Sequence, residues 1–348
     1  MFDILTIGTA TRDVFIKSDA FKVLRDPVHL EKLGFKTGEA ECFALGGKIE
    51  VGEPVTTCGG GAANAAVTFA RQGYKTGALV KIGEDEAGEA ILSDFKKEKI
   101  TGIPLFSADK GTAFSVVLLT AGGERTILNY RGASEEVAKQ EVPFKKLKAR
   151  WAYIVPGRIP FSVISLLVAH LKSQGAKIAM NPSRYYIELG AKQLKPILSR
   201  LDVVIMNREE ASYLTGIKYE DEKKIFRKLD ELVDGIAVMT DGRGGVLVSD
   251  GENIFSAGIY KEKKMADRTG AGDAFGSGFI AGLMKAKSET KSGVASFSPE
   301  SIERAIRFAS ANATSKVESV GAQAGLLRKG EFENQPRWRS LRIVKTSL

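Results

Sequence analysis

The sequence predicts an α/β protein: a central, mostly parallel sheet with helices on both faces and a small β lid. Three observations carry that expectation. Apolar runs of strand length recur along the chain, patterns of helical period lie between them, and two stretches rich in turn residues interrupt the alternation. Strand–helix repetition builds a parallel sheet whose crossovers cover both faces. The runs at 151–155 and 203–206 are apolar throughout, as strands covered on both sides should be.

The elements follow in order. Strands are expected at 4–7, 78–82, 114–119, 151–155, 177–180, 203–206, 236–240 and 246–249. Helices are expected at 62–71, 87–97, 162–172, 188–199, 208–214, 222–233, 271–284 and 299–316. Within the first, Ala66, Phe69 and Ala70 fall at helical spacing; within the second, Ala90, Ile91 and Phe95 do. Residues 14–57 show no strong helical pattern and carry Gly34, Gly38, Gly46, Gly47, Gly52 and Pro54. Residues 105–131 read as strand, a turn at Gly122–Gly123, and strand, with a hairpin between 112–120 and 125–130. These two stretches are assigned to the lid.

Composition narrows the function. The chain has 348 residues, 43% hydrophobic and 27% charged, which is ordinary globular composition. Two cysteines (Cys42, Cys58) and two histidines (His29, His170) leave too few ligands for a structural zinc site. Net charge is 51 − 42 = +9, but both signs are interspersed and no basic run is interleaved with aromatics, so no nucleic-acid partner is expected. The densest basic stretch is 328–348, read as a tail with six Lys/Arg against two Glu. No window approaches the ~18 apolar residues of a membrane span. The N-terminus also lacks the basic start of a secretion signal, so a cytoplasmic location without membrane partners is expected.

Four segments carry chemistry. In the first, Gly270, Ala271 and Gly272 open a helix pattern, and a helix start holds anions through unpaired N–H groups and its dipole. Asp273 lies in that helix's first turn, where a carboxylate suits a base that takes a proton from a hydroxyl attacking a phosphate. The same residues also suit a plain helix start with an acid in its first turn. The second segment runs from Cys58 through Gly59, Gly60 and Gly61 to Asn64, again glycines into a helix; small residues suit close packing, which leaves Asn64 unexplained. The third is Asn207 with Glu210, directly after a strand, where doubly wound sheets bind ligands. These two could hold a hydrated magnesium ion, or could be a helix capping box. The fourth is Thr240, Gly242 and Gly245, a glycine turn that could cradle phosphate or simply turn a hairpin. No GxxxxGK[ST] loop and no GxSxG elbow is present.

In this order, the four segments resemble the PfkB family of carbohydrate kinases, of ribokinase-like fold. The stretch 267–279, DRTGAGDAFGSGF, looks like the family's C-terminal signature. The glycine run from 59 and NREEASYLTG from 207 look like its other two segments. The resemblance covers about residues 3–327 and implies one kinase domain, 1–327, that phosphorylates a sugar or nucleoside hydroxyl with ATP and magnesium. It implies Asp273 as catalytic base and Gly270, Ala271 and Gly272 as anion hole. Asn207 and Glu210 match the magnesium and phosphate segment, with Glu210 acting on the metal through water. Thr240, Gly242 and Gly245 match the nucleotide loop, and the region of Asn312 and Gly321 lies where the family closes over adenine. Asp13, Gly60 and Asn64 match sugar-binding positions. Asp267 and Thr269 fall where some members bind a monovalent cation such as potassium. A homodimer through the lid is a further expectation. No basic cluster accompanies Asp13, Gly60 and Asn64, which favours an uncharged sugar. Phe35, Phe43, Phe106 and Phe114 could instead stack a nucleoside base, and Arg131 and Arg158 could face a phosphosugar.

Overall fold

A computed structural model describes residues 1–35, 37–120, 125–286, 289–291 and 294–348. The chain opens with β1 (Phe2–Gly8), β2 (Thr11–Lys17), β3 (Lys22–Arg25), α1 (Pro27–Lys32), β4 (Glu39–Cys42) and β5 (Val55–Gly59). Next come α2 (Gly61–Arg71), β6 (Thr76–Gly83), α3 (Glu86–Lys97), β7 (Thr101–Ser107), β8 (Phe114–Leu119) and β9 (Arg125–Tyr130). The middle comprises β10 (Ala149–Val155), α4 (Phe161–Ser173), β11 (Lys177–Met180), α5 (Arg184–Glu188), α6 (Ala191–Leu198), β12 (Val203–Asn207), α7 (Arg208–Thr215) and α8 (Glu222–Asp230). Then follow β13 (Ile236–Thr240), β14 (Val246–Ser249), β15 (Asn253–Ala257), α9 (Ala271–Met284), β16 (Glu289–Lys291) and β17 (Val294–Ser296). The chain finishes with α10 (Pro299–Val317), α11 (Glu331–Asn334) and β18 (Ile343–Ser347).

Ten strands form the main sheet in the order β18-β15-β14-β13-β12-β11-β10-β1-β6-β7. From β7 to β13 every pairing is parallel; β14, β15 and β18 add an antiparallel flank. Alternate residues of each strand serve opposite faces. Leu5, Ile7, Ile154, Met180 and Met206 pack with α4 to α8. Ile4, Tyr153, Ala179 and Ile205 pack with α2, α9 and α10. The chain runs outward from β1 through β6 to β7, then returns to β10 on the other side of β1. That reversal opens a crevice at the carboxyl ends of β1 and β10, the usual ligand site of such sheets.

The lid is a second sheet, β5-β2-β8-β9, joined by antiparallel β2–β5, parallel β2–β8 and antiparallel β8–β9 pairings. The expected hairpin is present, with Leu119 opposite Arg125; its turn at Gly122–Gly123 lies outside the described residues. Two expectations are corrected. Residues 105–107 belong to β7 in the main sheet, because that edge strand pairs with β6, so the second lid segment begins later than 105. Residues 328–348 are no detached tail: Trp338 is buried edge-on against Tyr260, and β18 pairs antiparallel with β15. The basic residues there had hidden an apolar anchor and a strand. No described helix is long and apolar enough to cross a membrane.

Candidate active site

The link from β1 to β2 and the start of α2 are folded onto each other. The Gly61 N–H donates to Thr9 Oγ1 at 3.1 Å, and Ala62 and Ala63 donate to the Thr9 carbonyl at 3.1 and 3.3 Å. The first amides of α2 are therefore satisfied internally and are not spare for a phosphate. Gly60, at φ +88°, tolerates no side chain, since a Cβ would meet the Thr9 carbonyl at 2.7 Å. A Cβ on Gly59 would lie 1.8 Å from Asp13 Oδ2. These glycines make room for neighbouring protein atoms as much as for a ligand.

The start of α9 differs. Gly270 precedes it in the left-handed region at φ +78°. The Ala271 N–H donates to Arg268 O at 3.2 Å and Ala274 N–H to Gly270 O at 2.8 Å, so Gly272 and Asp273 hold the amides that lead the helix. A Cβ on Gly272 would meet nothing within 4 Å, so packing does not explain that glycine. Asp273 accepts a hydrogen bond from Asn64 Nδ2 at 2.8 Å, and Gln323 Nε2 holds Asn64 Oδ1 at 3.2 Å. Burial pushes the Asp273 carboxyl above the usual Asp range; the Asn64 hydrogen bond opposes this, Asp13 adds to it, and Lys316 opposes it.

Asp13 sits on β2 in the lid, 6% exposed, with Thr11 Oγ1 donating to Oδ1 at 2.8 Å. Burial raises its pKa too, against hydrogen bonds from Thr11 and Ser115 and the charge of Arg12. One cavity of about 220 Å³ gathers Asp13, Gly60, Asn64, Thr269, Gly270 and Asp273, with Ile127, Asn129 and Arg131 of the lid on its wall. Among the described residues, Arg131 is the one basic residue on this cavity's wall, a single group rather than a basic cluster. The Arg131 guanidinium is paired with Glu135 at 3.3 Å, which Arg158 also approaches at 3.6 Å.

The remaining candidates lie elsewhere. Asn207 and Glu210 form a capping box on α7: Glu210 N–H donates to Asn207 Oδ1 at 2.7 Å and Asn207 N–H to Glu210 Oε2 at 2.9 Å. Both line a second cavity of about 220 Å³ with Arg184, Glu188, Glu209 and Tyr213. Burial raises the Glu210 pKa, against the Asn207 amide. Ile187 and Tyr213 give that cavity apolar wall beside its three carboxylates. Thr240 ends β13 directly beside Asn207. Gly242 and Gly245 turn the β13–β14 hairpin; a Cβ on Gly245 would meet Ala257 O at 2.1 Å, while Gly242 faces open space.

Two expectations fail on geometry. Asn312 cannot face adenine: it is fully enclosed, donating to Ala274 O at 2.8 Å and accepting from Leu327 N at 2.9 Å. It ties α9 to α10 and the segment after it. A monovalent cation at Asp267 and Thr269 does not fit either. Lys316 Nζ already sits 2.7 Å from the Asp267 carbonyl and 3.3 Å from Oδ2. The Asp267 carboxylate is further held by Thr269 N–H at 2.8 Å and Gly321 N–H at 3.1 Å. A second cation would leave the buried cluster with unbalanced charge. The Thr269 hydroxyl stays buried without a hydrogen-bond partner.

The model of the pfkB family of carbohydrate kinases matches residues 29–329. The chain belongs to that family. It is 31% identical over 240 residues to a cytidine kinase from Thermococcus kodakarensis, covering 68% of this chain and 84% of that protein. It is 29% identical over 283 residues to a ribokinase from Haemophilus influenzae, covering 78% and 85%. Among solved structures, a ribokinase from Giardia lamblia matches with a TM-score of 0.75 at 22% identity, over 94% of this chain and 96% of that one, and shares its fold. This pfkB-family protein is thus an ATP-dependent carbohydrate kinase of ribokinase-like fold. Its fold brings Asp13, Gly60, Asn64, Thr269, Gly270 and Asp273 to one cavity and Asn207 with Glu210 to another. Thr9, Ser115, Asn129, Gln323 and Lys316 were missed by sequence reasoning, since each stands outside a motif and joins the site only through tertiary packing.

Proposed function

We propose that this kinase transfers the terminal phosphoryl group of ATP to a hydroxyl of an uncharged sugar, with Asp273 as general base. The observation that carries the reading is the shared cavity, where a half-buried carboxylate, a leading helix start and the acceptor candidates Asp13 and Asn64 meet. In this reading Asp13 and Asn64 hold acceptor hydroxyls beside Asp273. The base takes the proton of the attacking hydroxyl, and its raised affinity for protons suits that transfer. The amides of Gly272 and Asp273, with the helix dipole behind them, offset charge on the transferred group. The lid shuts water out, which would otherwise compete as the nucleophile.

On the nucleotide side, Asn207, Glu210, Thr240 and the open Gly242 turn are assigned to ATP. Magnesium, held through water by Asn207 and Glu210, would neutralise phosphate charge. Glu210→Gln is expected to shift the magnesium titration to higher concentration while leaving the sugar KM in place. Glutamine keeps the cap, so the variant removes charge alone. An unchanged magnesium titration with a raised sugar KM would reverse the assignment.

A nucleoside acceptor is the second reading, favoured by the identity with the cytidine kinase. Against it, none of Phe35, Phe43, Phe106 and Phe114 lines the acceptor cavity. A screen of ATP consumption across sugars, sugar phosphates and nucleosides decides. Turnover is expected with uncharged sugars; activity confined to phosphosugars or nucleosides overturns the sugar assignment. Pairing of two chains through the lid is supported by β9, exposed along its length with Ile127, Leu128 and Tyr130. A monomer in sedimentation excludes it.

A further inference from the structure

Lysine is almost never enclosed without a partner, yet Lys316, in the last turn of α10, has no exposed surface. Its ammonium donates to the Asp267 carbonyl and carboxylate. Asp267 precedes α9, takes the Thr269 and Gly321 amides, and donates its own N–H to Val317 O at 3.2 Å. One ammonium and one carboxylate thus cross-link three segments: the approach to α9, the end of α10 and the turn at Gly321. The same turn brings Ala322 against Gly270, where a Cβ would lie 2.9 Å from the Ala322 Cβ. The pair therefore sets where the leading amides of α9 stand.

We propose that the Lys316 ammonium is a built-in substitute for a monovalent cation, so that this kinase turns over without potassium or sodium. The ammonium carries the charge of such an ion and meets oxygen atoms as one would, but it is tethered and needs no uptake from solution. The cluster is neutral with one positive and one negative group, which leaves no charge for a free ion to balance. Lys316 is a positioning residue: it acts through Asp267 on the helix start. Its field also reaches the site, lowering the proton affinity of Asp273. Burial lowers the pKa of Lys316 itself, with Asp267 opposing.

The inference rests on the kinase reading for its activity arm and stands apart from it in its stability arm. The full chain, exchanged into tetramethylammonium buffer, is assayed with added potassium, sodium or caesium chloride at constant ionic strength. Thermal unfolding is followed by circular dichroism in the same buffers. Turnover of the parent is expected to vary by less than about twofold, with no cation-specific change in Tm. Lys316→Ala is expected to lose at least about tenfold in tetramethylammonium, and potassium or methylammonium should restore several-fold and raise its Tm. Potassium activation of the parent by more than about fivefold, or a potassium-specific rise in its Tm, overturns the proposal. So does a folded Lys316→Ala that responds to no cation. If the variant does not fold, the parent's two titrations decide; if no acceptor is turned over, the kinase reading fails and the unfolding data still test the substitution.

Discussion

Asp273→Asn is expected to lower kcat by about 10²–10⁴-fold, the usual worth of a positioned general base, while the protein stays folded. Asparagine has the same shape and can still meet Asn64, so the hydrogen bond at 2.8 Å is not forfeited by size. Stability should not fall. Burial raises the folded-state pKa of Asp273, so its ionised form is disfavoured in the folded protein, and this penalty is present at neutral pH and relieved as pH falls through the folded pKa. A neutral asparagine removes it. The parent's kcat/KM should decline on the acid side at a pH above the ordinary Asp range, because the base must be ionised to act. The variant should lose that limb while its Tm at pH 7 stays level or rises. Turnover of the variant within threefold of the parent would refute the role of Asp273.

The second large effect is at Asp13. Hydrogen bonds to charged groups are worth about 1.5–3 kcal/mol, which at ~1.4 kcal/mol per decade is a loss of about tenfold to a hundredfold in kcat/KM for Asp13→Ala. Asp13 is also bonded by Thr11 on its own strand, so a purely structural role is the competing account. The two separate cleanly in measurement. An acceptor-binding role lowers kcat/KM for the sugar at constant Tm; a turn-stabilising role lowers Tm and leaves the kinetics of the folded fraction intact. The second outcome would remove Asp13 from the acceptor side.

The main sheet was legible because its inner strands are doubly covered and largely apolar: 177–180, 236–240 and 246–249 coincide with β11, β13 and β14, while 114–119 coincides with β8 of the lid, whose burial alternates along the strand. β7, at one edge, and β15, in the antiparallel flank, were not, since polar residues such as Thr101 and Asn253 blur the pattern. The helix expected at 188–199 divides at Gly190, whose φ of +82° ends one helix and opens the next. The start of α9 could be read because glycines ahead of a helix pattern have a local signature. Lys316 could not, because a lysine inside a helix pattern looks solvent-facing until the fold encloses it. Asn312 misled for the converse reason: its position in the chain is near the nucleotide segment, but α10 turns it inward.

The contact between Gly59 and Asp13 also bears on how this kinase can diverge. With Asp13 in place, Gly59 cannot accept even a methyl group, since a Cβ there would overlap the carboxylate. A side chain at 59 must therefore displace the Asp13 carboxylate and press on Thr11 Oγ1, and on the proposed reading displacing Asp13 costs turnover before any new acceptor has been gained. The two positions hold each other in place across generations. The opposite wall carries no such lock: β9 is exposed at all six residues, and its Ile127 and Asn129 reach the cavity from a strand whose outer edge pairs with nothing among the described residues. New acceptor preferences should thus arise by drift along β9 and at the adjoining Arg131, with the glycine side of the pocket inherited unchanged.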